Sequence, residues 1–138
     1  MTKKKKRVLK ISKVGLEFEF LLLDHNGRIC YKADEILKAC NKANPKLQIV
    51  KECAHNMIEM NSYPNEHVKG SVVDLLDAME VAMEACEKND CYLYPFGSYP
   101  GKFDPKMRTG GHYGNKERVF GADRYLIAGR CIGFHNHY

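Results

Sequence analysis

Val14-Gly15-Leu16-Glu17-Phe18-Glu19-Phe20-Leu21-Leu22-Leu23-Asp24 sets two carboxylates inside an otherwise apolar run. Successive side chains of a strand point to opposite faces, so Glu17 and Glu19 share one face while Leu16, Phe18 and Phe20 occupy the other. The apolar face must be buried. An acidic face is tolerated in water at a sheet edge. Inside a fold it needs compensation, because burying even a neutral polar group without a partner costs roughly 2–7 kcal/mol. Basic side chains supply such compensation, and so does a hard divalent ion that takes oxygen ligands.

Two later segments repeat the pattern. Met57-Ile58-Glu59-Met60-Asn61 places Glu59 opposite Ile58 and Met60, and Ile132-Gly133-Phe134-His135-Asn136-His137-Tyr138 places His135 and His137 opposite Phe134. If these strands are neighbours, Glu17, Glu19, Glu59 and His135 converge on a carboxylate-rich pocket. That donor set suits magnesium or manganese bridging nucleotide phosphates.

Around these strands the chain reads as α+β. The first strand is expected over about Val8 to Asp24, closed by a turn at His25-Asn26-Gly27-Arg28, since Asn-Gly between apolar runs is a hairpin signal. Asp34 is expected to cap a short helix that ends at Asn44-Pro45. Leu47 to Cys53 and Met57 to Ser62 read as strands. The clearest helix runs from Ser71, as N-cap, to Lys88, with Val72, Leu75, Met79, Met83 and Cys86 as its buried stripe. Cys91 to Phe96 reads as a strand. Pro95 to Gly114 has no periodicity, and its Arg108-Thr109-Gly110-Gly111-His112-Tyr113-Gly114 segment can offer an arginine and backbone N–H groups to an anion. Asn115 is expected to cap a short helix through Phe120, residues Arg124 to Ala128 are compatible with helix or strand, and Gly129 to Tyr138 reads as a final strand.

The 138 residues are 44% hydrophobic and 28% charged, enough for one domain with a real core. The net charge of +5 comes from one place: Lys3, Lys4, Lys5, Lys6 and Arg7 are five of the 22 basic residues, and the remaining 17 face 17 acidic ones. Residues 1–7 are therefore expected to be a disordered basic tail on a near-neutral domain spanning 8–138. That balance argues against a broad nucleic-acid-binding face. No apolar run suits a secretory leader or a membrane span. The six cysteines include no C-x-x-C pair, which fits reduced thiols in a cytoplasm better than a zinc ribbon or a disulfide framework.

Gly15-x-Glu17-x-Glu19-Phe20, Ile58-Glu59-x-Asn61, Tyr94-Pro-Phe-Gly-Ser-Tyr-Pro100 and Gly133-x-His135-x-His137, collinear from about residue 14 to 138, resemble the glutamate–cysteine ligase type 2 family of carboxylate–amine ligases. The resemblance implies the first part of a glutamine synthetase-like catalytic domain: a curved, mainly antiparallel sheet backed by helices, binding ATP and Mg2+ or Mn2+ in its concavity. It implies Glu17, Glu19, Glu59 and His135 as metal ligands, with Glu52 as a further acid just upstream of the Glu59 strand. Arg108 and His137 are implied at the cofactor, and Tyr113 and Asn61 at the substrate. His112-Tyr113 stands where relatives often carry Arg-Tyr, and Arg108 is the candidate to replace that charge.

The implied chemistry joins a carboxylate, such as the γ-carboxylate of glutamate, to an amine through an acyl phosphate. The resemblance also implies more chain after the Gly-x-His-x-His strand, so a complementary C-terminal half, or a homo-oligomer formed through the strand edge at 132–138, is an expected partner. Two other readings remain open. One is a zinc-dependent hydrolase built on His135, His137 and Glu59 or Glu17. The other is a non-catalytic binding or assembly module that keeps the half-fold.

Overall fold

The computed structural model describes residues 12–138. The expected tail at 1–7 and the first four residues of the expected first strand lie outside them. Five strands and four helices follow in the order β1 (Gly15–Leu23), α1 (Ala33–Ala43), β2 (Gln48–Lys51), β3 (Met57–Asn61), α2 (Val68–Glu87), β4 (Tyr92–Tyr94), α3 (Gly111–Phe120), α4 (Ala122–Ala128) and β5 (Phe134–His137). The fold is α+β, an open antiparallel sheet backed by helices.

β1 is central because its apolar face is the most continuous in the chain. β3 pairs with one of its edges from Glu17↔Asn61 to Leu21↔Met57, and β2 lies outside β3. The other edge is shared: β5 takes Gly15 to Phe18 and β4 takes Leu21 to Leu23. The helix-side core contains Leu16, Phe20, Leu22, Ile58 and Met60 from the sheet, against Ile36 and Cys40 of α1 and Leu75, Ala78, Ala82 and Cys86 of α2. A second, smaller core forms on the opposite face, where Leu21, Cys53, Ala54 and Met57 meet Tyr125 of α4. β1 is thus sealed on both faces at Leu21 and Leu22, but only on one at Glu17 and Glu19.

Several boundaries differ from the sequence expectation for local reasons. His25 to Arg28 does turn, with Gly27 at φ +71° and the Asp24 carboxylate accepting from the Asn26 and Arg28 N–H groups at 2.8 and 2.9 Å. The returning chain, however, pairs with β1 only at Leu23↔Ile29 before α1 begins. Asp34 is not the cap of α1; it lies in the first turn and pairs with His55 and Arg108. Asn44 does end α1.

α2 starts three residues before Ser71, whose hydroxyl donates to the Val14 carbonyl at 2.9 Å and ties the helix to the entry of β1. The buried face of α2 is Ser71, Leu75, Ala78, Ala82, Ala85 and Cys86, whereas Val72 and Met83 are exposed. Small residues let the helix lie close on the sheet, which displaces the larger apolar side chains to its flank. Met79 packs at the core edge; Met83 does not. α3 begins at Gly111, so Asn115 is interior to it and accepts from Arg118 at 3.1 Å. Residues 122–128 are helical.

No helix among the described residues is long and apolar enough to cross a membrane. All six cysteines are free, and burial pushes the Cys40 and Cys53 thiols up to about 11 and about 12, which leaves them unreactive at neutral pH.

Ile58 is fully buried between β1 and α2, whereas Val119 is 72% exposed. Ile58→Ala is expected to lower unfolding stability by about 2–5 kcal/mol and Val119→Ala by less than about 0.5, as read from urea denaturation midpoints.

Candidate metal centre

The antiparallel register decides which polar side chains meet. Residues directly opposite one another share a face, so Glu19↔Glu59, Glu17↔Asn61 and Glu17↔His135 bring the three polar-faced strands together. Gly15↔His137 brings the second imidazole alongside. Glu52 follows the last residue of β2 and turns into the same space. Glu19, Glu52 and Glu59 each offer a carboxylate oxygen, and these oxygens all lie within 4.8 Å of one another. Glu17 bridges the two histidines: one oxygen is 3.1 Å from His135 Nδ1 and the other 3.1 Å from His137 Nε2.

Electrostatics follow from this crowding. Burial, first of all, raises the pKa of Glu19 above its ordinary value; the Gly133 N–H works against the rise, while the charge of Glu52 adds to it. Burial likewise raises Glu59, opposed by its bond from Asn61 and reinforced by Glu52 and Glu17. Two half-buried carboxylates set directly opposite each other repel, and such a pair needs a cation or a proton to relax.

Fixed donors aim the acids. Asn61 Nδ2 donates to Glu59 Oε1 at 2.8 Å, so its amide orients a carboxylate. The Gly133 N–H donates to Glu19 Oε2 at 2.7 Å. A Cβ at Gly133 would stand 2.6 Å from His135 Nε2, so a glycine there lets the imidazole lie over the backbone. Sequence reasoning missed the N–H contribution of Gly133, for which the glycine of the Gly-x-His motif was the only sign.

Arg108, expected at a cofactor, lies nearly buried beside the backbone of Glu52. It is 8% exposed, its guanidinium is 2.7 Å from Asp34, and its Nε donates to the Glu52 carbonyl at 2.9 Å. The same ion pair holds the Asp34 carboxyl below the usual carboxylate range. Arg108 therefore anchors the backbone that carries Glu52. Tyr113, on α3, donates its hydroxyl to the Lys51 carbonyl at 2.8 Å, and burial, with the nearby charge of Glu52, raises its pKa. It borders the acids. His112 is exposed on α3 beside the Tyr113 ring and lies outside the acid cluster.

The structure brings together Glu17, Glu19, Glu52, Glu59, Asn61, His135 and His137. It keeps Arg108 and Tyr113 at the margin.

Glu19, Glu52 and Glu59 are the residues that could hold a hard divalent ion, their carboxylate oxygens lying no more than 4.8 Å apart, against the roughly 2.0–2.6 Å ligand distances typical of Mg2+ or Ca2+. No protein-family model matches the chain. No curated protein matches it significantly.

Glu59→Gln keeps the acceptor for Asn61 and removes one of the repelling charges. Because the folded pKa of Glu59 is raised above 4.5, the native state holds its proton more tightly than the unfolded chain does. The cost of ionisation is absent below the unfolded value and fully present above the raised one. In chelator-treated protein the variant is expected to melt higher than wild type near neutral pH, on the order of 3 °C, with the gap closing as pH falls toward the ordinary carboxylate range. Thermal melts by circular dichroism across that range measure it.

Proposed function

We propose that this chain carries the metal-binding part of an ATP- and Mg2+-dependent carboxylate–amine ligase of the glutamate–cysteine ligase type, with a glutamine synthetase-like fold. The observation that carries the reading is the cluster of Glu19, Glu52 and Glu59, with Glu17 and two histidines beside it, on one face of an open antiparallel sheet. An all-carboxylate triad favours hard ions of the kind that accompany nucleotide phosphates. Divalent ions supply charge neutralisation and positioning in phosphoryl transfer, which is mostly an electrostatic task.

In this reading the γ-phosphoryl group of ATP passes to a substrate carboxylate, giving an acyl phosphate and ADP. An amine then attacks the acyl carbon, loses a proton and expels phosphate to leave an amide. Glu19, Glu52 and Glu59 would hold the cation, Asn61 and the Gly133 N–H fix the angle of two of those carboxylates, and Glu17 presents His135 to the same space. None of these groups acts as a nucleophile. Further phosphate-contacting cations belong, on this reading, to a complementary segment, because Arg108 is held by Asp34 and Glu52.

The zinc-hydrolase reading has one observation in its favour: Glu17, His135 and His137 form an oxygen–nitrogen–nitrogen set, which zinc accepts. Binding experiments on the chain as it stands separate the readings. Mn2+ binding, followed by its electron paramagnetic resonance spectrum, is expected to strengthen in the presence of ATP and to weaken at least about tenfold in Glu19→Gln and in Glu59→Gln. ADP release in the presence of both glutamate and an amine would add the activity. Mn2+ affinity indifferent to both substitutions, or stoichiometric zinc retained through purification in a Glu59→Gln protein, would overturn the ligase proposal.

A further inference from the structure

The two faces of β1 end differently. On the helix side α1 and α2 pack on the sheet, and α2 reaches as far as β4, where Leu93 joins the core; β5 lies beyond them. Along α2, above Phe18, Phe20 and Leu93, runs a groove of about 970 Å3. Its floor is Phe18, Phe20 and Leu93, and its wall is Leu76, Met79 and Met83 of α2. Leu76 and Met83 are 56% and 57% exposed, a poor state for large apolar side chains on the best-formed helix of the chain. Phe134, 5.4 Å edge-on to Phe18, prolongs the apolar floor onto β5.

The charged residues that line this groove all have one sign. They are Glu80, Glu84 and Glu87, of which Glu84 is paired with Lys88 at 3.3 Å. They rise from α2 in alternation with the apolar ridge, so that Leu76, Glu80, Met83 and Glu87 follow one another at helical spacing along its rim. A strip of apolar groups bordered by carboxylates is complementary to a helix with an apolar stripe and a cationic flank, the helix-in-groove mode of recognition. Two methionines in the wall provide an adaptable surface for such a helix.

We propose that this groove docks a cationic amphipathic helix of a partner protein, whose lysines or arginines lie against Glu80 and Glu87 while its apolar stripe covers Phe18, Leu76 and Met83. Charge complementarity selects this occupant. A second copy of this chain has a body of balanced charge, 17 basic against 17 acidic residues beyond the first seven, and so brings no overall complement to Glu80 and Glu87. The chain's own Lys3–Arg7 run has the right sign, but its five cations are consecutive and precede Val8, Leu9 and Ile11; they do not interleave with apolar residues at the spacing the rim presents. The groove lies on the face of the sheet opposite Glu17, Glu19 and Glu59, so the inference does not depend on the ligase proposal.

The test is a fluorescence-anisotropy titration of the full chain with a fluorescein-labelled leucine–lysine peptide of about four helical turns, its leucines spaced to form one stripe, and with a scrambled peptide of the same composition. Saturable binding is expected to the striped peptide, at least about tenfold weaker for the scrambled one. Glu80→Lys with Glu87→Lys, and separately Met83→Asp, are each expected to weaken it by a similar factor; all three positions are exposed, and unchanged thermal melts verify the fold. Equal affinity for both peptides, or affinity untouched by the charge reversal, would overturn the proposal. So would a tenfold gain on deleting residues 1–11, which would assign the groove to the chain's own tail. A sedimenting dimer abolished by Leu76→Asp would assign it to a second copy and overturn the proposal equally.

Discussion

Opposed carboxylates on a central strand are the constraint around which this fold is arranged. Glu19 stands directly across from Glu59, both are half-buried, and Glu52 comes within reach of the pair. Such a set raises the free energy of the folded protein unless something offsets it. Part of the offset is built in, through the amide of Asn61, the Gly133 N–H and the imidazoles that flank Glu17. These partners are single neutral dipoles or titratable rings and leave the cluster short of positive charge. That shortfall of positive charge is what the proposed cation would offset.

The chain spends structure on keeping these acids in place. Arg108, nearly buried, spans from Asp34 of α1 to the carbonyl of Glu52, and His55 braces Asp34 from the other side at 3.0 Å. Tyr125 and Leu21 close the small core immediately beyond Glu19 and Glu59. The acids sit on a face that is dry at one end and open at the other. That gradient accounts for raised pKa values at Glu19 and Glu59, since both lose hydration without being sealed off.

Much of this was legible in the sequence where period-two alternation is strong. Glu17 and Glu19 against Leu16, Phe18 and Phe20, and Glu59 against Ile58 and Met60, dictated faces that the structure keeps. What alternation does not carry is the identity of the neighbour. That β4 and β5 divide one edge of β1 between them depends on long-range pairing. The α2 stripe was misjudged because size was taken as the sign of burial; Ala78, Ala82 and Ala85 approach the sheet more closely than Val72 or Met83 can. Ser71 looked like a cap because its hydroxyl suits one, yet it bonds a distant carbonyl instead. Arg108 is expected from sequence to offer its charge to an anion; nothing local reveals Asp34, its partner 74 positions earlier in the chain.

β5 gives the arrangement a further property. All four of its residues are exposed, and beyond its ladder with β1 it is held by the Phe134–Phe18 contact and by the two imidazoles on Glu17. A strand that buries so little has a small docking free energy, so undocked forms belong to its equilibrium. An ion that drew on His135 would bind only the docked form, and its apparent affinity would be the intrinsic one multiplied by the docked fraction. On the proposed function, loading the centre and zipping the last strand would be a single linked process, in which each stabilises the other by the same amount.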